Sequence, residues 1–97
     1  MNSIQVTLDS SLLIPENIYA REIDDEMILL DTDGGYYFGL DPVGTRMFQL
    51  IREHQGLRQV FDLILAEYDV SAERLEVDLI DLANKMVEKG LAVILEP

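Results

Sequence analysis

The chain holds one histidine, no cysteine, and 19 acidic residues against 7 basic. Any bond-making chemistry must therefore come from carboxylates, hydroxyls or that single imidazole. His54 has neither a second histidine nor a thiolate to work with, so one chain cannot assemble a zinc site of the common nitrogen and sulfur kinds. Its place near the end of an amphipathic stretch suits the negative end of a helix dipole. Asp24-Asp25-Glu26 and Asp31-Thr32-Asp33 fall where turns are expected. Asp31, Asp33 and Asp41 would hold a hard cation only if the fold converged them; the loop is too short for a calcium loop and lacks its closing glutamate. Asp33-Gly34-Gly35 has turn chemistry, not the spacing of a phosphate cradle. The serines have no base close by in sequence. These residues predict a protein that is not an enzyme and takes no metal or cofactor.

Recognition chemistry is a different matter. Gly35, Tyr36, Tyr37, Phe38, Gly39 and Leu40 form a glycine-bounded aromatic run. Tyr36, Phe38 and Leu40 alternate with Tyr37 and Gly39 in the period of a strand. If this strand is the last of a meander, one backbone edge lies free, and an extended peptide can add there as a further strand. Aromatic side chains are favoured anchors at such interfaces. Phe38 and Leu40 read as core, whereas Tyr37 reads equally as an anchor or as a half-buried strand residue.

The elements that must position this run are short. Ile18 to Ile23 reads as a strand closed by Asp24-Asp25, Met27 to Leu30 as a second, and Gly35 to Leu40 as the third. Together they make a three-stranded antiparallel meander with one wet and one buried face. Asp41 can cap a helix and Pro42 can occupy its first position. That helix runs from about Pro42 to His54, with Val43, Met47, Leu50 and Ile51 as its apolar stripe and Gly56 as its stop. A second, about Leu57 to Tyr68, repeats Leu57, Val60, Phe61, Ile64, Leu65 and Tyr68 at helical spacing, which makes Tyr68 a core residue. Ser71 starts a third helix, about Ala72 to Lys89. Its apolar set of Leu75, Leu79, Leu82, Ala83 and Met86, widened by Ile80 and Val87, exceeds the arc of about 100° that one neighbour needs. The surplus reads either as contact with both sheet and helices or as the wall of an open groove. Gly90 ends this helix, and Leu91 to Leu95 suits a last strand. Ile4, Val6 and Leu8 alternate with polar residues, so residues 1–14 suit an extra strand or arm, although Pro15 argues against regular structure running through.

The 97 residues predict one domain with a modest core, and 48% hydrophobic content predicts that it folds. No run approaches the roughly 20 apolar residues of a membrane span, and no basic leader precedes an apolar stretch. Absence of cysteine fits a cytoplasmic setting. The formal charge of −12 repels nucleic acid and anionic membrane; it would steer a basic partner or serve solubility alone.

The run IDDEMILLDTDGGYYFGLDPVGTRMFQLI, Ile23 to Ile51, resembles the PqqD-like family, the peptide-recognition modules of ribosomally made, modified peptides. It is especially similar to the stand-alone recognition proteins of lasso-peptide biosynthesis. Tyr37, Phe38, Leu40 and Asp41 match the family's strand end, Gly44 its small position, and Met47, Leu50 and Ile51 the hydrophobic helix face. The resemblance covers about residues 15 to 95. It implies an α+β, winged helix-turn-helix-like domain of three antiparallel strands followed by three helices. It also implies that the leader of a precursor peptide adds to the strand Gly35 to Leu40 and lies against a third-helix wall of Leu75, Leu79, Leu82, Ala83 and Met86. There it would be presented to a separate leader peptidase or radical S-adenosylmethionine enzyme. The strong negative charge and the alternating N-terminal segment depart from simple expectation for the family. The charge suggests a leader with basic residues at its rim; the segment suggests a strand that extends or dimerises the sheet.

Two other readings compete. A winged-helix shape can bind DNA, but the third helix presents Glu73, Glu76, Asp78, Asp81 and Glu88 against only Arg74, Lys85 and Lys89, the wrong balance for phosphate. A small acidic homodimeric adaptor, unrelated to peptide modification, is the alternative.

Overall fold

The computed structural model describes residues 5–95, with the Tyr36 side chain outside that description. Its elements run β1 (Ser11–Leu13), β2 (Ile18–Ile23), β3 (Glu26–Asp31), β4 (Tyr36–Leu40), α1 (Pro42–His54), α2 (Leu57–Glu67), α3 (Ala72–Glu88) and β5 (Val93–Leu95). The antiparallel sheet β2-β3-β4 feeds the three helices, the α+β arrangement of a winged helix-turn-helix-like fold. Strand β3 shows the alternation in its plainest form: Met27, Leu29 and Asp31 are buried, and Glu26, Ile28 and Leu30 are exposed.

Local chemistry explains the element boundaries. At the β3–β4 turn, Asp31 Oδ1 accepts the backbone N–H groups of Asp33 and Gly34, and the side-chain amide of Asn17. Gly35 completes the turn with φ +76°, a conformation that costs glycine little; it precedes the strand rather than opening it. The Asp41 carboxylate accepts from Gly44 N–H at 2.7 Å, capping α1 behind Pro42. Ser71 caps α3 through Arg74 N–H. At the far end of α3, Leu91 N–H reaches Met86 O and Gly90 N–H reaches Val87 O, a Schellman closure with Gly90 at φ +76°.

Two boundaries differ from the sequence expectation. Helix α1 is stopped by Gln55, which adopts φ 70°, while Gly56 is the N-cap of α2. The reason is the N-terminal arm: Leu12 N–H donates to Gln55 O, and Leu57 N–H donates to Ser10 O, so β1 holds the interhelix joint in place. The arm itself is not a strand at Val6 and Leu8. The Thr7 and Ser10 hydroxyls take local backbone N–H groups and bend the chain, while Val6 and Leu8 drop into the core. The ladder forms later, where β1 pairs antiparallel with β5, Leu12 opposite Ile94. Ile4, the first residue of the expected alternation, lies outside the described residues.

The core gathers Leu12, Leu29, Phe48, Ile51, Leu57, Ile64, Leu79, Met86 and Leu91, all fully buried. Helix α1 packs on β1, β3, β4 and α2, and α2 packs in turn on α3. Arg46 ties α1 to α2 through a two-pronged pair with Glu67, Nε to Oε1 at 2.9 Å and Nη2 to Oε2 at 2.8 Å. That hydrogen-bonded pairing raises the Arg46 pKa and lowers that of Glu67.

Candidate functional site

The carboxylates considered for chemistry are committed to the backbone. Asp31 builds a turn and Asp41 caps a helix. Among the described residues no group of three histidine, cysteine or acidic side chains is placed to hold a metal ion. His54 sits in the last turn of α1, 3.8 Å from a Glu53 carboxylate oxygen.

A cleft of about 580 Å³ opens between β4 and α3. Strand β4 is an edge strand: among the described residues it pairs only with β3, through Met27–Leu40, Ile28–Gly39, Leu29–Phe38, Leu30–Tyr37 and Asp31–Tyr36. Phe38 and Leu40 project inward, the first half-buried at the lip and the second buried. Val43, Gly44 and Met47 from the start of α1 continue the floor, and Leu75 and Leu82 from α3 face them. Gly44 keeps the corner tight: a Cβ there would stand 3.1 Å from Asp41 Oδ1 and 3.4 Å from Leu40 Cδ2. The rim carries charges already paired along α3, Arg74 with Asp78 and Lys85 with Asp81, each at 3.2 Å. An apolar trough beside an unpaired strand edge suits an extended peptide, with main-chain bonds on one side and side-chain seats on the other.

The sequence-predicted site residues divide. Phe38, Gly39, Leu40, Leu75 and Leu82 line the cleft. Leu79, Ala83 and Met86 are fully buried in the core and do not line it. Gly35 is in the turn above, and the Tyr36 side chain lies outside the described residues. Tyr37 is 74% exposed on the opposite face of the sheet, since successive strand residues point to opposite sides; it does not face α3. Tyr68, expected from its period to be core, is half-buried and lines the cleft together with Val70. The signal for Val70 was its apolar character in the bend before Ser71; what places Tyr68 and Val70 is how the α2–α3 joint docks, which spacing does not report.

Known proteins give this geometry a context. The structure of TbiB1 in complex with the TbiA(beta) leader peptide superposes with a TM-score of 0.76 at 38% identity, over 81% of this chain and 92% of that one. Lasso peptide synthetase B1 complexed with the leader peptide superposes with the same TM-score of 0.76 at 24% identity, over 86% of this chain and 98% of that one, and speaks for the fold alone. No curated protein matches the chain. Residues 26–92, from the start of β3 through the cleft walls to the turn before β5, match the family of the coenzyme PQQ synthesis protein D. The chain therefore belongs to the PqqD family, whose domains are non-catalytic.

Proposed function

We propose that this protein captures the leader segment of a ribosomally synthesised precursor peptide by strand addition at β4, and presents it to a separate modifying enzyme or leader peptidase. The observation that carries the reading is the apolar cleft between an open strand edge and α3. It occurs in a chain 38% identical to one held in complex with a leader peptide. Main-chain bonds along β4 would supply affinity; the seats between Phe38, Leu40, Leu75, Leu82 and Tyr68 would supply selectivity. The work would take place in the cytoplasm, and no helix among the described residues is long and apolar enough to cross a membrane.

The test is reconstitution. The precursor encoded beside this chain's gene is incubated with its neighbouring enzyme, with and without the protein, and the products are followed by mass spectrometry. The protein alone leaves the precursor intact and raises the enzyme's turnover when present. Turnover by the isolated protein, or no effect on the enzyme, sinks the reading. A homodimeric adaptor is the second reading, favoured by one observation: Tyr19, Leu30 and Tyr37 form an uncovered row across the outer sheet face, 61%, 38% and 74% exposed. Sedimentation at micromolar concentration decides whether that row joins two copies.

A further inference from the structure

The outward face of the sheet holds a second cavity, of about 520 Å³, that the cleft does not use. Ile28 and Gly39, opposite each other in the β3–β4 ladder, lie along it, with Ile23 at one side. Asp24, Asp25 and Glu26, at the β2–β3 turn, form its rim. Ile23 and Ile28 are left 51% and 40% exposed, while these three carboxylates hold no hydrogen bond or ion pair among the described residues. Arg21 stands opposite Ile28 on β2 but does not line the cavity.

Gly39 is the telling residue. Its φ is not in the left-handed region, and nothing lies within 4 Å of where its Cβ would be. Neither backbone conformation nor packing calls for glycine there, and glycine weakens a strand interior; such a residue marks close approach by another group. Gly39 also borders both cavities. A strand added along β4 would send alternate side chains to the two faces, so those facing away from the cleft would pass over Gly39.

We propose that the outer cavity is a specificity subsite of the same peptide site, taking one lysine or arginine side chain from an outward position of the bound peptide. The inference rests on the peptide-binding reading above. Interstrand spacing near 4.8 Å puts Gly39 one step and Ile28 two steps from an added strand. An aliphatic stem of three or four methylenes can bridge that span over the apolar floor and deliver its cationic head to the carboxylates. A short or acidic side chain at that position gains neither contact, and an acidic one is repelled.

A phage-displayed library of random linear peptides is the probe. It is selected on the parent protein, on the Asp25→Asn/Glu26→Gln double variant, and on Gly39→Val, with thermal melts confirming that each folds. Binders of the parent should share apolar anchors and carry lysine or arginine at one position an odd number of residues away. The double variant should lose that preference and bind the selected basic peptides about fivefold more weakly, the scale of an exposed ion pair. Gly39→Val should also reduce the preference, with the charges intact. If binders shift amides of β4 and α3 yet show no basic preference, or keep it in the double variant, the subsite is overturned while the peptide reading stands. If no selected peptide engages β4 and α3, the peptide reading itself falls, and the subsite with it.

Discussion

Leu29 and Phe38 stand opposite each other in the β3–β4 ladder, the first sealed in the core and the second half-exposed at the lip of the cleft. One pair of facing side chains therefore joins the stable centre of the protein to the surface offered to a peptide. The same ladder puts Tyr37 on the other face, opposite Leu30. Stability and recognition should separate at these positions.

Phe38→Ala should weaken leader binding by roughly 1–3 kcal/mol, the range of an aromatic anchor, with a smaller loss of stability. Tyr37→Ala, pointing away from α3, should cost less affinity than Phe38→Ala. Leu29→Ala should cost about 2–5 kcal/mol of stability and leave the affinity of the folded fraction nearly unchanged. Titration of labelled leader with thermal melts alongside separates the three; a Tyr37 variant that loses more than the Phe38 variant would put the peptide on the wrong face.

Asp41→Ala should lower stability by about 1 kcal/mol, because Gly44 N–H loses its capping acceptor. Asp41→Asn keeps an acceptor oxygen at the same reach and should recover most of that loss. Chemical denaturation of the three proteins under one set of conditions gives the comparison. Equal loss in the asparagine and alanine variants would show that the cap is not what Asp41 contributes.

The helices were legible because their signals are local. Asp41-Pro42 and Ser71 mark starts, and the apolar spacing along α2 and α3 marks faces. The β2-β3-β4 meander was legible from turn chemistry and alternation. Long-range placement was not. Spacing grouped Leu75, Leu79, Leu82, Ala83 and Met86 on one side of α3, but only the way α3 stands off β4 leaves Leu75 and Leu82 on the cleft while the others are sealed. The β1 ladder escaped for the same reason, since its partner β5 is at the other end of the chain. Tyr37 is a different lesson: alternation already set it against Phe38 and Leu40, and its aromatic character drew it toward the anchor role.

The Arg46–Glu67 pair predicts an acid-side signature. Its hydrogen bond holds the Glu67 carboxyl below the ordinary value of 4.5, so its contribution is full above that value and fades as pH falls through the folded pKa. Both side chains are more than a third exposed, which limits the contribution to under about 1 kcal/mol. Glu67→Gln should therefore narrow its stability deficit as pH drops below 4.5. Melts of parent and variant across that range test this, and a deficit that stays constant in acid would deny the pair its role.

Tyr68 lines the cleft from the end of α2 while remaining half-buried, so Tyr68→Ala should lose leader affinity as well as stability. Salt adds an independent handle on how the leader arrives. The charges at the cleft rim largely cancel within α3, Arg74 against Asp78 and Lys85 against Asp81. What an approaching peptide feels at a distance is instead the field of a surface with net charge −12. Raising ionic strength shortens the reach of that field to about 8 Å near physiological salt. Association of a basic leader should then slow markedly, while dissociation, governed by main-chain bonds and apolar seats, changes less. Stopped-flow mixing resolves the two rates. An association rate indifferent to salt would reduce the acidic surface to a solubility feature, and equal loss in both rates would place charged contacts inside the bound complex.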